Sequence, residues 1–468
     1  MRQLIMEGQR RCVPAGARST IDRMPTLRNR RLEQLLGGAI DETLTYAQVK
    51  GLIPHTAEGP DLDFKRDTYT SSDRDRKALC TDVAALANAN GGILVLGMDE
   101  DEQGRAATDT GVVISDDERR RLRQTVVGNI QPTPTFDILP IEDPDRPGTG
   151  FLVIWVARSA TAPHAYVAQN KSMLYPKRIG TETAWLSESE VAEAYRARFA
   201  GFASRIEEAA RIEADFVQRL APDELFVVVT LVPDLPGSAT INSAALKAFQ
   251  MRNASCEVGA FGIPVGKFHR STVRRRCLVG TASLERSKPY SRLACELHET
   301  GSGVFGCAKI ESRPDVKDLK VKLADNLWLT LTIGTGLNLL ARHARDQAAA
   351  GGLATVRTTI WPVTSEVPVS LVSNVGWRNE PVGGELVSEP PVAETVADID
   401  DLSAGGAGLA AATHRLASEL FQAFGAAEAE GVTPEGAIRL PYWHQGWHAE
   451  ISRWAGSSGV EVLREANA

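Results

Sequence analysis

Three acids and a lysine in the first quarter of the chain are spaced for phosphate chemistry. Glu58 and Asp63 flank a Gly-Pro turn and the start of the stretch "GPDLDFKRD", and Lys65 follows two residues later. The apolar run "ILVLGM" exits into Asp99 and Glu100. In an open α/β sheet, ligands gather where strands end. If the two strands are neighbours, Glu58, Asp63 and Asp99 or Glu100 converge. Three carboxylates around one hard cation, Mg²⁺ or Mn²⁺, position a water or a leaving oxygen in phosphodiester hydrolysis. Lys65 beside them offsets phosphate charge. The plainer reading of the same residues is an exposed strand with a solvated charged face. On pattern alone that reading leads.

The elements that must hold these residues are legible from periodicity. Alternation puts Leu62 and Phe64 on one face of a strand, with Asp61, Asp63 and Lys65 on the other, open face. A helix is expected from Asp73 to Asn90, with the stripe Leu79, Val83, Leu86 and Ala87, stopped by Gly91 and Gly92. "ILVLGM" reads as a buried central strand. "SDDE" at Ser115 and "SESE" at Ser187 are capping boxes that open further helices. "FLVIWV" and "MLYPKRIG" read as strands.

Composition narrows the class. The chain has 468 residues, 43% hydrophobic and 24% charged, which fits a multidomain globular protein. Its net charge of −7 requires any nucleic-acid contact to be a local basic patch. No apolar run reaches membrane-spanning length, and the Arg-rich start has no signal-peptide core. The six cysteines form no C-x-x-C pair, so free thiols in a reducing cytoplasm are expected.

The expected organisation is a basic, disordered extension over 1–28, with Met24 as the natural start, and an α/β domain over 29–202. An α+β domain follows over 203–380, then a Pro/Gly/acid-rich linker over 381–408 and a helical segment over 409–468. Within the α+β part, Leu225–Val232, Leu293–Leu297, Val304–Ile310, Leu327–Ile333 and Thr355–Trp361 read as strands, and Leu337–Ala349 as a helix.

Other motifs weigh less. "GSGVFG" at Gly301 matches a dinucleotide fingerprint, but strand-like sequence follows it, so a hairpin turn is the better reading. "HQGWH" lacks the Glu of a zinc protease and reads as aromatic packing. "KFHRSTVRRRC", Lys267 to Cys277, is either a solvated surface or a phosphate contact.

Together, "EGPDLDFKRD", "DVAALANANGGILVLGMDED", "APHAY" and "YPKRIGTETAWLSESEVAEAYRARF" resemble the Schlafen AlbA-type (divergent AAA-4) domain of bacterial proteins, from about Arg30 to Phe202. The resemblance implies a mixed sheet with flanking helices and a nucleic-acid or nucleotide ligand. Some family members are metal-dependent endoribonucleases acting on transfer RNA. Their acidic trio falls on Glu58, Asp63 and Glu100, with Asp99 adjacent, although Asp63 stands where that family has Glu and Glu100 where it has Asp. Lys65, Lys77, Arg178, His164 and Thr181 are the expected phosphate contacts. The runner-up is an ATP-binding, DNA-binding regulator in which "NANGG" and "RIGTET" hold phosphate without hydrolysis. A third is an assembly domain without ligand. The nucleases clamp RNA between two copies of this domain, and one copy here implies a homodimer.

Overall fold

A computed structural model describes residues 29–168, 170–283, 290–308, 321–373 and 380–465. The basic N-terminal stretch lies outside the described residues. The chain divides into two compact units that meet in sequence at Ser204 and Arg205.

The first unit is built on a mixed sheet. Leu62–Lys65 runs parallel to Gly92–Leu96, with Leu62 opposite Ile93 and Lys65 opposite Leu96. Gly92–Leu96 runs antiparallel to Thr149–Val156, which also pairs with Phe136–Glu142 and Val112–Val113. Every residue of Gly92–Leu96 is buried, as a continuous apolar run in a central strand requires. One face of the sheet, with Leu62, Phe64, Ile93 and Val95, is covered by Leu32, Leu36, Val49 and Leu52. The other face, with Leu94, Leu96, Leu152 and Ile154, packs on Leu79, Val83, Leu86, Leu122 and Val126.

The helices start where their caps dictate. Ser72 accepts from the Asp75 N–H and opens Asp73–Ala87, with Asp73 and Asp75 in the favourable first turn. Ser115 accepts from the Glu118 N–H and opens Asp116–Asn129. Ser187 and Glu190 exchange the bonds of a capping box at the start of Glu188–Val217. The "RRRLR" run is a solvated ion-paired face. Arg119, Arg120 and Arg121 each meet the acid three residues earlier.

The Gly91-Gly92 pair has a steric cause. Gly91 has φ +70°, and Gly92 has φ +149° with the position of a Cβ only 2.3 Å from the Asp61 carbonyl oxygen. Any side chain there would collide with the neighbouring strand's entry.

The second unit is a seven-stranded sheet with Phe226–Leu235 near its centre, between Gly303–Ala308 and Gly351–Trp361. "GSGVFG" spans the end of a hairpin turn and the start of Gly303–Ala308, which pairs antiparallel with Leu293–His298, so a hairpin forms there as expected. Three expectations change. Leu327–Ile333 lies inside the helix Asn326–Arg342, capped by Asp325 and buried on nearly all sides. A short apolar run does not by itself distinguish a buried strand from a buried helix. The stretch read as a linker forms the strands Glu380–Val387 and Val392–Asp398 and the helix Ile399–Ala404. Both strands lie at sheet edges, where polar and glycine-containing sequence is tolerated and mimics a loop in composition. The C-terminal residues Trp443 and Ile451 share one apolar core with Val229 and Leu337, so they complete this unit instead of following it. Cys80, Cys277, Cys295 and Cys307 are free thiols, whereas Cys256 is not.

Candidate functional site

The sheet brings Glu58 and Asp63 together, but in the interior. Asp63 is 3% exposed. The alternation is kept, since Leu62 and Phe64 bury on one face. The opposite face is not open, because Asp63 looks into the layer formed by Asp73–Ala87 and the strand Pro176–Ile179. Asp61 does not join it and instead pairs with Arg31 and accepts from Asn29 Nδ2 at 3.1 Å.

Two cations occupy the Asp63 carboxylate. Arg178 Nη2 donates to Oδ1 at 2.9 Å, and the Lys65 ammonium pairs with Oδ2. Arg178 also lies 3.3 Å from the Gly59 carbonyl and 4.0 Å from Glu58 Oε2. Glu58 Oε1 accepts from the Phe64 N–H at 2.8 Å. Burial pushes the Glu58 carboxyl up to about 7, against the Phe64 hydrogen bond, with the Asp63 and then the Glu100 charge adding to the rise.

Two further residues complete the cluster, neither of them singled out in the sequence. Asp82, on the buried side of Asp73–Ala87, accepts from the Tyr69 hydroxyl at 2.6 Å. Burial raises the Asp82 carboxyl, and burial with the Asp82 charge holds the Tyr69 phenol well above its ordinary range. Burial alone would lower the Lys65 ammonium, but Asp63, Asp82 and Glu58 outweigh it and raise it. The signal available in advance was weak: one acid in an otherwise apolar helix stripe.

The remaining expected site residues divide. Asp99 pairs with Arg66 at 3.5 Å, and Glu100 is exposed at the end of Met98–Glu100. His164 is fully buried, with Nδ1 2.6 Å from the Pro132 carbonyl, and burial lowers its imidazole. Its backbone N–H donates to Asn88 Oδ1 at 2.7 Å, and Asn88 Nδ2 donates back to the carbonyls of His164 and Pro176. His164 and the Asn of "NANGG" therefore tie loops together. Gly91 and Gly92 lie against the chain's own backbone on the side where a Cβ would stand. Arg178 is an interior ion-pair partner and presents no guanidinium to solvent. Thr181 is exposed at a turn whose Gly180 faces open space. Lys77 is exposed and sits 5.7 Å from the ring centroid of Trp185, itself 46% exposed.

This arrangement does not fit a divalent cation on the expected trio. Among the described residues no group of three or more His, Cys, Asp or Glu is placed to share a metal ion. A second obstacle is electrostatic: the ammonium of Lys65 and the guanidinium of Arg178 stand against both oxygens that an ion would use.

One family model falls on the same segment. Residues 58–186 match the family model Schlafen, AlbA_2. This Schlafen AlbA_2 match covers the sheet, the buried ion-pair cluster and the Gly180 turn, and it suggests a nucleic-acid-related role. No curated protein matches the chain. A solved structure, the DIP2311 protein from Corynebacterium diphtheriae, is 21% identical over 36% of this chain, with a TM-score of 0.23. The similarity spans only 29% of that protein's length. No helix of the described residues is long and apolar enough to cross a membrane.

Proposed function

We propose that the Schlafen AlbA_2 segment binds single-stranded nucleic acid and does not cleave it through a metal-bound carboxylate trio. One observation carries the choice between binder and nuclease. Both Asp63 oxygens are neutralised internally, by Lys65 and Arg178, so the charge a metal would need is already used to hold strand to hairpin.

The binding surface on this reading is the outer rim. Trp185 offers an exposed indole for stacking an unpaired base, and Lys77 beside it meets the adjoining phosphate. The Thr181 hydroxyl, exposed at the hairpin turn, adds a polar contact to the backbone, whereas Lys177 stands opposite Ala184, on the other face of the hairpin from Trp185. The buried cluster beneath fixes that hairpin. Stacking favours single strands because a duplex keeps its base faces covered.

The test is titration of the full chain with fluorescent single-stranded RNA, single-stranded DNA and duplex DNA, beside a gel assay with Mn²⁺ or chelator. Trp185→Ala is expected to weaken single-strand binding by about 1–3 kcal/mol per stacked base. Lys77→Ala is expected to lower the salt dependence. Mn²⁺-dependent cleavage that is lost in Asp63→Asn would overturn the reading in favour of the nuclease. Saturable ATP binding with no affinity for single strands would overturn it in favour of the nucleotide-sensing regulator.

A further inference from the structure

The densest basic run of the second unit folds into a corner that this function does not absorb. Arg270–Arg274 is the edge strand of the seven-stranded sheet and pairs with Cys277–Thr281. Arg275 and Arg276 form the turn between them, both at positive φ. Arg276 is 80% exposed in its side chain and pairs with Glu299. Behind the turn stands Glu296, 4% exposed, whose Oε1 is 3.9 Å from Arg274 and 3.7 Å from Arg219. Arg211, on the helix that precedes Arg219, is 66% exposed in its side chain and lies 4.0 Å from Asp215. Its charge and that of Arg219 both bear on His298, next to Glu299 in sequence.

Two properties set this corner apart from an ordinary solvated face. The arginines come from three stretches: the helix, the turn that follows it and the hairpin. They also outnumber their acids. Among the described residues, Arg211, Arg219, Arg274 and Arg276 share three acids in ion pairs, Asp215, Glu296 and Glu299, and Arg275 is exposed beside them, which leaves local positive charge on a chain of net charge −7. Arg219 Nη1 donates to the Asp215 carbonyl, while the pairs to Glu296 and from Arg211 to Asp215 are longer than hydrogen bonds, so guanidiniums with five donors each keep some to offer. Planar guanidiniums with spare donors match phosphate oxygens.

We propose that this arginine corner is a second phosphate-contacting surface, for a nucleic-acid backbone, separate from the Trp185 rim. The choice of nucleic acid over an acidic peptide rests on the reading of residues 58–186, whereas the site itself stands on its own residues.

The experiment uses the full chain carrying Arg275→Gln with Arg276→Gln, and separately Arg211→Gln. These changes spare Arg219 and Arg274, which hold the buried Glu296. Binding of fluorescent single-stranded RNA is measured across a salt series, with thermal unfolding as the fold control. The expected result is an unchanged melting profile, weaker binding, and a slope of log K against log salt shallower by about 0.7 for each phosphate no longer neutralised. Unchanged affinity and slope in both variants, while Trp185→Ala weakens binding, would overturn the corner and leave the rim standing. Weaker binding in the corner variants with no effect of Trp185→Ala supports the corner and overturns the rim. A polyglutamate peptide that binds the wild type but not the double variant, with RNA binding unchanged, would make the partner an acidic protein and overturn the proposal.

Discussion

Replacing Arg178 by Met tests whether the acidic cluster is an internal anchor or a ligand site. Arg178 and Asp63 each have 4% of their side chain exposed and meet at 2.9 Å. At an effective dielectric of 20, unit charges at that separation attract by roughly 6 kcal/mol. Removing one partner of a buried pair typically costs about 3–5 kcal/mol, because the other charge is stranded. Lys65 stays on the second Asp63 oxygen, which places the expected loss near the lower end, about 3 kcal/mol. For a domain of roughly 150–250 residues, that corresponds to a fall of about 6–12 °C in Tm. Calorimetry of the full chain is the assay, with only the transition of the first unit expected to move. Arg178→Lys should fall between, since it keeps charge but loses the guanidinium Nη2 that meets both Asp63 and the Gly59 carbonyl. Adding Asp63→Asn to Arg178→Met should recover part of the loss, because no stranded charge remains. A loss below about 1 kcal/mol, together with abolished nucleic-acid binding, would refute this reasoning and make Arg178 a ligand contact.

Two further outcomes follow from the same geometry. The Glu58 carboxyl is raised from 4.5 to about 7, so the folded unit holds that proton where the unfolded chain has released it. Stability from this group is therefore full below about pH 4.5 and declines as pH rises through about 7. After discounting for solvent screening of a half-buried group, the decline is on the order of 1–2 kcal/mol. Urea midpoints of wild type and Glu58→Gln across that range check it, and the difference should vanish in the variant. Gly92→Ala should destabilise the first unit severely, by roughly 3 kcal/mol or more. Its Cβ would lie 2.3 Å from the Asp61 carbonyl oxygen, and thermal unfolding near the wild-type Tm would contradict that steric argument.

Much of the fold is written locally. Ser72, Ser115 and Ser187 cap helices because a hydroxyl at that point satisfies an N–H the helix cannot. "ILVLGM" forms the central strand because only a position covered on both faces suits four consecutive apolar side chains. The proximity of Glu58 to Asp63 follows from the short turn that leads into Leu62–Lys65, and the family match over residues 58–186 includes both. Leu327–Ile333 shows the limit of such reading, since hydrophobicity reports burial and leaves helix or strand to the capping Asp325 and to packing.

Which face of Leu62–Lys65 is covered was beyond local sequence. Alternation assigns Leu62 and Phe64 to one side and Asp63 and Lys65 to the other, but it carries no information about what lies opposite either side. The partner that neutralises Asp63 is Arg178, 115 residues away in sequence, delivered by a hairpin that Asn88 clamps to the helix end. A carboxylate in water and a carboxylate between two buried cations look identical in sequence. Only the tertiary structure, by removing solvent and supplying the counter-charges, makes Asp63 part of an internal ion-pair cluster.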